Sequence, residues 1–257
     1  MIYGLYLSAT GVVTNSHQQD VIANNLANQE TNGFRRQMSL QEARRTEVQA
    51  QQAAGTSTRR EPFWDNLGGG QLLAPSYYDQ TEGQPSQSSN NFDTAIRGPG
   101  FIGVEDKGEF RLTRNGSMML DKDGFVITTA GQKVVGPDKT PLKLDMTGRK
   151  QADLQIGQDG TIHAGPDSLG KIGLFDAKDP QTIKPVGGSV FAPTKDAEIV
   201  PADARLLANM TEGSNVDPAT ELTRLMETQR LLEANANLIR TQDQTLGRAV
   251  NDVGKIG

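Results

Sequence analysis

Residues 2–26 read IYGLYLSATGVVTNSHQQDVIANNL, and residues 222–253 read LTRLMETQRLLEANANLIRTQDQTLGRAVNDV. In the first stretch Ile2, Leu5, Ala9, Val12, Ser16, Gln19, Ala23 and Leu26 recur at alternating spacings of three and four. In the second, Leu222, Leu225, Gln229, Leu232, Ala236, Ile239, Asp243, Leu246, Val250 and Val253 do the same. That rhythm is a coiled-coil seam. Its narrowness, with Ala, Ser and Gln among the apolar residues, favours helix against helix over helix against sheet. The second helix has a strong start: Asp217 as N-cap, Pro218 in the first turn and Glu221 adding negative charge there. The first is expected to stop near Asn28, at the turn Thr31-Asn32-Gly33.

Between the helices the period changes to two. Short apolar pairs follow one another: Phe92, Thr94 and Ile96; Ile102 and Val104; Phe110 and Leu112; Met118 and Leu120; Phe125 and Ile127. Lys107-Gly108, Asn115-Gly116 and Asp123-Gly124 separate them as hairpin turns. Further strands are expected at 132–136, 141–146, 152–157, 161–163, 171–175 and 197–200. The expected fold class is α+β. Long N- and C-terminal helices pair in a coiled-coil-like bundle, and a central all-β domain forms a sandwich or open barrel. The expected division is 1–34 with 214–257 as the helical assembly domain, 35–91 as an extended arm and linker, and 92–213 as the β-rich outer domain. Within the arm, 37–53 has a weak helical pattern.

Composition narrows the function. The chain has 257 residues, a net charge of −5, no Cys and 28 Gly. The acidic balance gives no support to nucleic-acid binding, and without Cys there is neither a disulfide framework nor a thiolate metal site. The apolar N-terminal run is too short for a membrane span and has no basic residue before it, so no cleaved signal and no membrane insertion are expected. Gly98-Pro99-Gly100-Phe101-Ile102-Gly103 has the letters of a dinucleotide fingerprint, but a strand follows it where a helix is required. Asp121-Lys122-Asp123-Gly124 begins like a calcium loop, yet its glycine and its twelfth position, Gln132, do not fit. His17 and His163 have no ligand or nucleophile partner at a recognisable spacing. No cofactor, metal or catalytic residue is expected, although an enzyme and a secreted binding module with dimerising helices stand as other classes.

Residues 31–60 hold six Arg, in the steps Arg35-Arg36, Arg44-Arg45 and Arg59-Arg60, against Glu42 and Glu47. Residues 212–245 are acid-rich, from Glu212 to Asp243. Two readings stand: solvated charged faces, or complementary charge between neighbouring subunits.

Val21-Ile22-Ala23-Asn24-Asn25-Leu26-Ala27-Asn28, followed by Thr31-Asn32-Gly33-Phe34-Arg35-Arg36, resembles the N-terminal signature of flagellar basal-body rod and hook proteins. The stretch FDTAIRGPGFIGVEDKGEFRLTRNGSMMLDKDGFVITTAGQKVVG is similar to their central segment, and SNVDPATELTRLMETQRLLEANANLIRTQDQTLG to their closing helix. Within the family, Gln155–Ile162 and Val186–Phe191 favour the proximal rod protein, with the distal rod protein next and the longer hook protein third. Leu231-Leu232 stands where the family usually has an aromatic.

The resemblance implies a structural subunit exported unfolded by the flagellar type III apparatus and assembled in the periplasm. Its partners would be copies of itself, other rod subunits and hook-side neighbours. Its helices would form an inner tube and its β domain an outer layer. Leu5, Val12, Leu26, Leu222, Leu225, Leu232, Ile239 and Leu246 would then bury apolar surface between helices. Asn24, Asn25 and Asn28 would cap or cross-link backbone near the helix end, and Gly33 would permit the turn that lets Phe34 anchor the arm.

Overall fold

The computed structural model describes residues 2–44, 69–147, 154–179 and 182–253. The chain divides into two compact units. One comprises Met1–Ala27, Gln37–Asp79 and Asp217–Gly257; the other comprises Asn28–Arg36 and Gln80–Val216.

The first unit is built on two long helices, α1 (Ile2–Ala27) and α2 (Pro218–Val253). Helix α2 starts as its sequence dictates. The Asp217 carboxylate accepts the Ala219 N–H at 3.2 Å, and the Asp217 carbonyl accepts the Glu221 N–H at 3.0 Å. The helices run antiparallel in one constant register. A Cβ built on Gly4 would lie 2.7 Å from Gln242 Nε2, and one on Gly11 would lie 2.8 Å from Asn235 Nδ2. Asn25 Nδ2 donates to Glu221 Oε2 at 3.2 Å. Each step forward along α1 is matched by an equal step back along α2.

The seam on α1 is one residue away from its expected place. Gly4, Ser8, Gly11, Asn15, Gln18, Ile22 and Asn25 form the covered three-and-four stripe, whereas Ala9, Ser16 and Ala23 are exposed. The reason is physical. Helix α1 carries one residue charged at neutral pH, Asp20, so charge alone cannot choose a face. Gly4 and Gly11 leave room on the covered face for the Gln242 and Asn235 side-chain amides of α2. On α2 the covered stripe keeps Leu225, Leu232, Ile239 and Leu246, with Glu221, Thr228, Asn235 and Gln242 between them. Leu222 and Val250 lie off it, 49% and 70% exposed.

Two short ribbons flank the helices. Strand β1 (Gln37–Met38) and strand β2 (Gln41–Ala43) pair with β4 (Tyr77–Tyr78) and β3 (Gln71–Leu73) respectively. The helical pattern near 37–53 is therefore not realised over 37–44, where strand partners and α1 satisfy the backbone; 45–53 lies outside the described residues. Thr14 donates to Gln71 Oε1 at 2.9 Å and Gln41 to Gln18 Oε1 at 3.1 Å.

Among its described residues the second unit is built of β-strands. In chain order its strands are β5 (Pro85–Gln87), β6 (Thr94–Arg97), β7 (Phe101–Asp106), β8 (Glu109–Thr113), β9 (Met118–Leu120), β10 (Val126–Thr128), β11 (Lys133–Val134), β12 (Leu154–Ile156), β13 (Thr161–Ala164), β14 (Asp167–Lys171), β15 (Leu174–Ala177), β16 (Ile183–Gly187), β17 (Val190–Pro193), β18 (Ile199–Pro201), β19 (Arg205–Ala208) and β20 (Met210–Glu212). Nine form one antiparallel sheet in the order β16-β17-β8-β7-β11-β10-β9, with β15 joining β7 to β18. Strand β7 is its hub: one edge pairs β8, and the other is shared between β15 at Phe101-Ile102 and β11 at Val104-Glu105. No pairing joins β16 to β9 among the described residues, so the sheet does not close into a barrel. The alternation of β7 sends Ile102 and Val104 into the larger core, with Val126, Leu154 and Leu206, and Phe101 into a smaller one, with Phe175 and Phe191.

Several local expectations change. Lys107-Gly108 forms a two-residue hairpin turn, both residues at positive φ (52° and 83°). Asn115-Gly116 does not, because β8 and β9 are not paired. The Gly116 carbonyl instead accepts the Thr94 N–H at 3.0 Å, and a Cβ on Gly116 would lie 1.7 Å from Thr94 O. On β10 the core face is Val126 and Thr128, not Phe125 and Ile127. The segment 171–175 is the junction of two strands, β14 and β15, and 141–146 pairs only through isolated bridges.

Candidate assembly site

Two polar constellations organise the residues singled out by sequence, one in each unit. In the helical unit, Asn25 is almost fully buried. Its Nδ2 donates to the Gln37 carbonyl at 2.8 Å, and its Oδ1 accepts the Gln37 N–H at 2.9 Å. The side-chain amide thus pairs with a backbone peptide as a second strand would, and it also reaches Glu221. Glu221, 1% exposed, accepts from Arg224 Nη1 at 3.1 Å. Asn25 cross-links backbone as expected, while Asn24 is exposed and Asn28 sits at the turn, its Oδ1 accepting Thr31 Oγ1 at 3.2 Å.

In the β unit, the segment after α1 is held by ions. Gly33 has φ 70°, and a Cβ there would lie 2.4 Å from the Arg114 carbonyl carbon, so the turn requires glycine. The Gly33 N–H donates to the Glu212 carbonyl at 2.8 Å. Phe34 is buried, and Arg35 follows it inward. Arg35 Nη2 lies 2.7 Å from Glu212 Oε1, and Arg114 Nη1 lies 3.2 Å from the same oxygen. Gly83 N–H completes that oxygen's contacts at 3.1 Å. Arg35 also donates to the Thr81 carbonyl, and Arg114 to the carbonyls of Gly98 and Gly100. Arg36 N–H donates to Asn215 Oδ1 at 2.6 Å, and Asn215 in turn donates to Thr81 O at 3.0 Å.

Two guanidiniums therefore share one carboxylate at a buried site. Burial, and then the neighbouring Arg114 charge, pull the Arg35 pKa below its ordinary value; Glu212, and more weakly Glu82, oppose them. This corrects both readings of the first double-Arg step. Arg35 is neither solvated nor offered to a neighbour; its acidic partner is Glu212 of the same chain. Arg44 is exposed and donates to the Tyr6 hydroxyl. Arg45, Arg59 and Arg60 lie outside the described residues.

The remaining seam residues are placed as follows. Leu5, Val12, Leu26, Leu225, Leu232, Ile239 and Leu246 are half-buried, and Leu222 is exposed. Gly33 and Phe34 are buried inside the β unit. Sequence reasoning missed Gly4, Gly11 and Glu221 in the helix pair, and Arg114 in the ion cluster. Gly4 and Gly11, seven apart in a helix, are the signal that would have located the seam. Among the described residues no group of acidic or histidine side chains is arranged to hold a metal, and no helix is long and apolar enough to cross a membrane.

These sites fall on segments shared with known proteins. Residues 5–35 match the flagella basal body rod protein family, residues 95–164 the D1 domain of flagellar hook protein FlgE/F/G, and residues 207–252 the C-terminal region of flagellar basal body rod FlgEFG protein. The chain is 29% identical to flagellar basal-body rod protein FlgF of Caulobacter vibrioides, over 98% of each chain. It is 30% identical to FlgG of Buchnera aphidicola subsp. Schizaphis graminum, over 96% of this chain and 98% of that one. FlgG of Borreliella burgdorferi is 28% identical over 98% of both. The matched segments hold both helices, the glycine turn at Gly33, the two arginines and Glu212, and on this ground the chain belongs to the flagellar basal-body rod protein family.

Proposed function

We propose that the chain is a structural subunit of the bacterial flagellar basal-body rod, built into a helical tube that carries torque from motor to hook. The observation that carries this reading is the composition of the helix faces left uncovered. On α1, Tyr6, Ala9, Val13, Ser16, Asp20, Ala23 and Ala27 are exposed, and one of them is charged. On α2, Leu222, Met226, Leu231 and Leu238 are about half exposed. The uncovered face of α1 is almost uncharged, and α2 sets four large apolar side chains among its exposed charges; apolar surface left open on this scale is made to be covered. Head-to-tail packing of identical units through unlike faces extends into a helical filament where its rotation does not close a ring.

In this reading the helices pack as coiled coils between copies, and the β unit is a sandwich-like outer layer. Its partners are further copies of the chain, other rod subunits and hook-side neighbours. It reaches the periplasm unfolded, through the flagellar type III export apparatus and without a cleaved signal. Its task is mechanical rather than enzymatic, and nucleic acid has no part in it. Within the family we read it as the proximal rod protein, with the distal rod protein next. Deleting residues 1–30 or 220–257 tests the assignment: rods and motility should be lost. Rods built by either truncated chain would end it.

A further inference from the structure

We infer that Glu212 is a conformational latch that orders the segment Thr31–Arg36 only once strand β20 has joined the β unit. The members of the ion cluster are held unequally. Arg114 is anchored independently of Glu212: its Nε donates to Gly100 O at 2.8 Å, and its guanidinium stands 5.7 Å from the centre of the Phe101 ring. Arg35 has the Thr81 carbonyl and Glu212, and among the described residues its Nε has no hydrogen-bond partner. Without Glu212, bringing Arg35 beside Arg114 places two like charges together in a buried site, with Glu82 the weaker counter-charge. Desolvation and repulsion together make that arrangement costly.

Local bonds alone hold the segment weakly. Asn28–Arg36 offers one large apolar side chain, Phe34, against the entropy of ordering the backbone, and Gly33 makes that entropy larger. Within it two backbone bonds form, Thr31 N–H to Asn28 O at 3.1 Å and Phe34 N–H to Thr31 O at 3.2 Å, beside the Thr31–Asn28 side-chain bond. Asn32 Nδ2 to Ser117 Oγ at 3.0 Å and Arg35 to the Thr81 carbonyl tie it to the unit apart from β20. Its backbone bonds to the rest of the unit come from the far end: Gly33 N–H to Glu212 O at 2.8 Å, and Asn215 N–H to Phe34 O at 3.4 Å. Strand β20 itself is fixed by pairing with β5, continued by Gly213 N–H to Gln84 O at 3.0 Å. The chain's entry to the β unit is therefore completed by its exit. A chain whose last strand is absent keeps its signature segment open while the Ile102–Val104 core can already form.

Hydrogen exchange on the full-length chain tests this in two ways. In pulse-labelled refolding, the Phe34 amide should gain protection together with Gly213, although its acceptor, Thr31, is only three residues away. In the native state, Glu212→Gln should speed exchange across 31–36 by at least about a hundredfold, while the Val135 amide, which donates to Gly103 O at 3.0 Å in the core, keeps its protection. Arg35→Met should loosen the same segment and leave β20 protected. Protection of Phe34 ahead of Gly213 would overturn the inference, as would exchange across 31–36 in Glu212→Gln within twofold of the parent. Should Glu212→Gln not fold, the refolding order of the parent decides alone.

Discussion

Arg35 and Glu212 meet at 2.7 Å with both side chains at most 2% exposed, joining the start of the β unit to its last strand. Such a pair adds little net stability over an apolar replacement, but breaking it is costly because a buried charge is stranded. Glu212→Gln strands two, Arg35 and Arg114, and should lower unfolding free energy by about 3–5 kcal/mol. Arg35→Met leaves Arg114 and Glu212 as a balanced pair and should cost clearly less. Urea titration of both variants checks the order.

Asn25 makes one bond to each polar group of the Gln37 peptide from a buried position. Asn25→Ala would leave those two groups unpaired, at a cost of about 2–4 kcal/mol. Exposed Asn24 gives the contrast, with Asn24→Ala expected to cost less than about 1 kcal/mol. Paired thermal melts of the two variants measure the difference.

Gly11 faces Asn235 across the helix pair, and the Asn235 amide occupies the place a Cβ would take. Gly11→Leu should separate α1 from α2 even though leucine favours the helix by about 0.8 kcal/mol over glycine. Exchange of amides in both helices should rise, while those of β7 and β8 do not.

Leu232 lies on the covered stripe of α2 and Leu222 off it. Leu232→Asp should destabilise the helix pair within one chain by about 2 kcal/mol or more, by placing a carboxylate in an apolar contact. Leu222→Asp should leave the melting of the isolated chain unchanged and still block rod assembly. Normal motility in cells carrying Leu222→Asp would remove that residue from the contacts between copies.

Asp217 caps α2, and its hydrogen bond from the Thr220 hydroxyl holds its pKa below the ordinary 3.8. A depressed carboxylate pKa means that its contribution is complete above the unfolded value and is lost as pH falls through the folded one. The first turn of α2 should therefore fray as pH drops below about 3.8, and Asp217→Asn, which caps without titrating, should not show this step. Exchange of the Ala219 amide against pH reads it directly.

The start of helix α2 is legible to the residue because it is written locally in Asp217-Pro218 and Glu221. Helix α1 was legible as a helix, but its seam was not. Its sequence mixes apolar and uncharged polar residues on every side, and the face covered is the one whose glycines make room for the amides of α2. The hairpin at Lys107-Gly108 followed from its turn residues, whereas Asn115-Gly116 serves a close crossing over Thr94 that no turn rule describes. Strands β16, β17 and β20 were missed because Pro and Gly interrupt the alternation in the first two and β20 is too short to show any. Phe34 announced itself as an anchor. Its neighbour Arg35 did not, because the carboxylate that buries it stands far along the chain, and nothing near either residue signals the other.

The most direct measurement is an image of basal bodies isolated from cells carrying the tagged chain, beside those from cells carrying Leu232→Asp. The account predicts multiple copies in the rod of the first, with α1 and α2 lining its inside, and no rod in the second. Rods without the tagged chain in the first, or complete rods in the second, would contradict it.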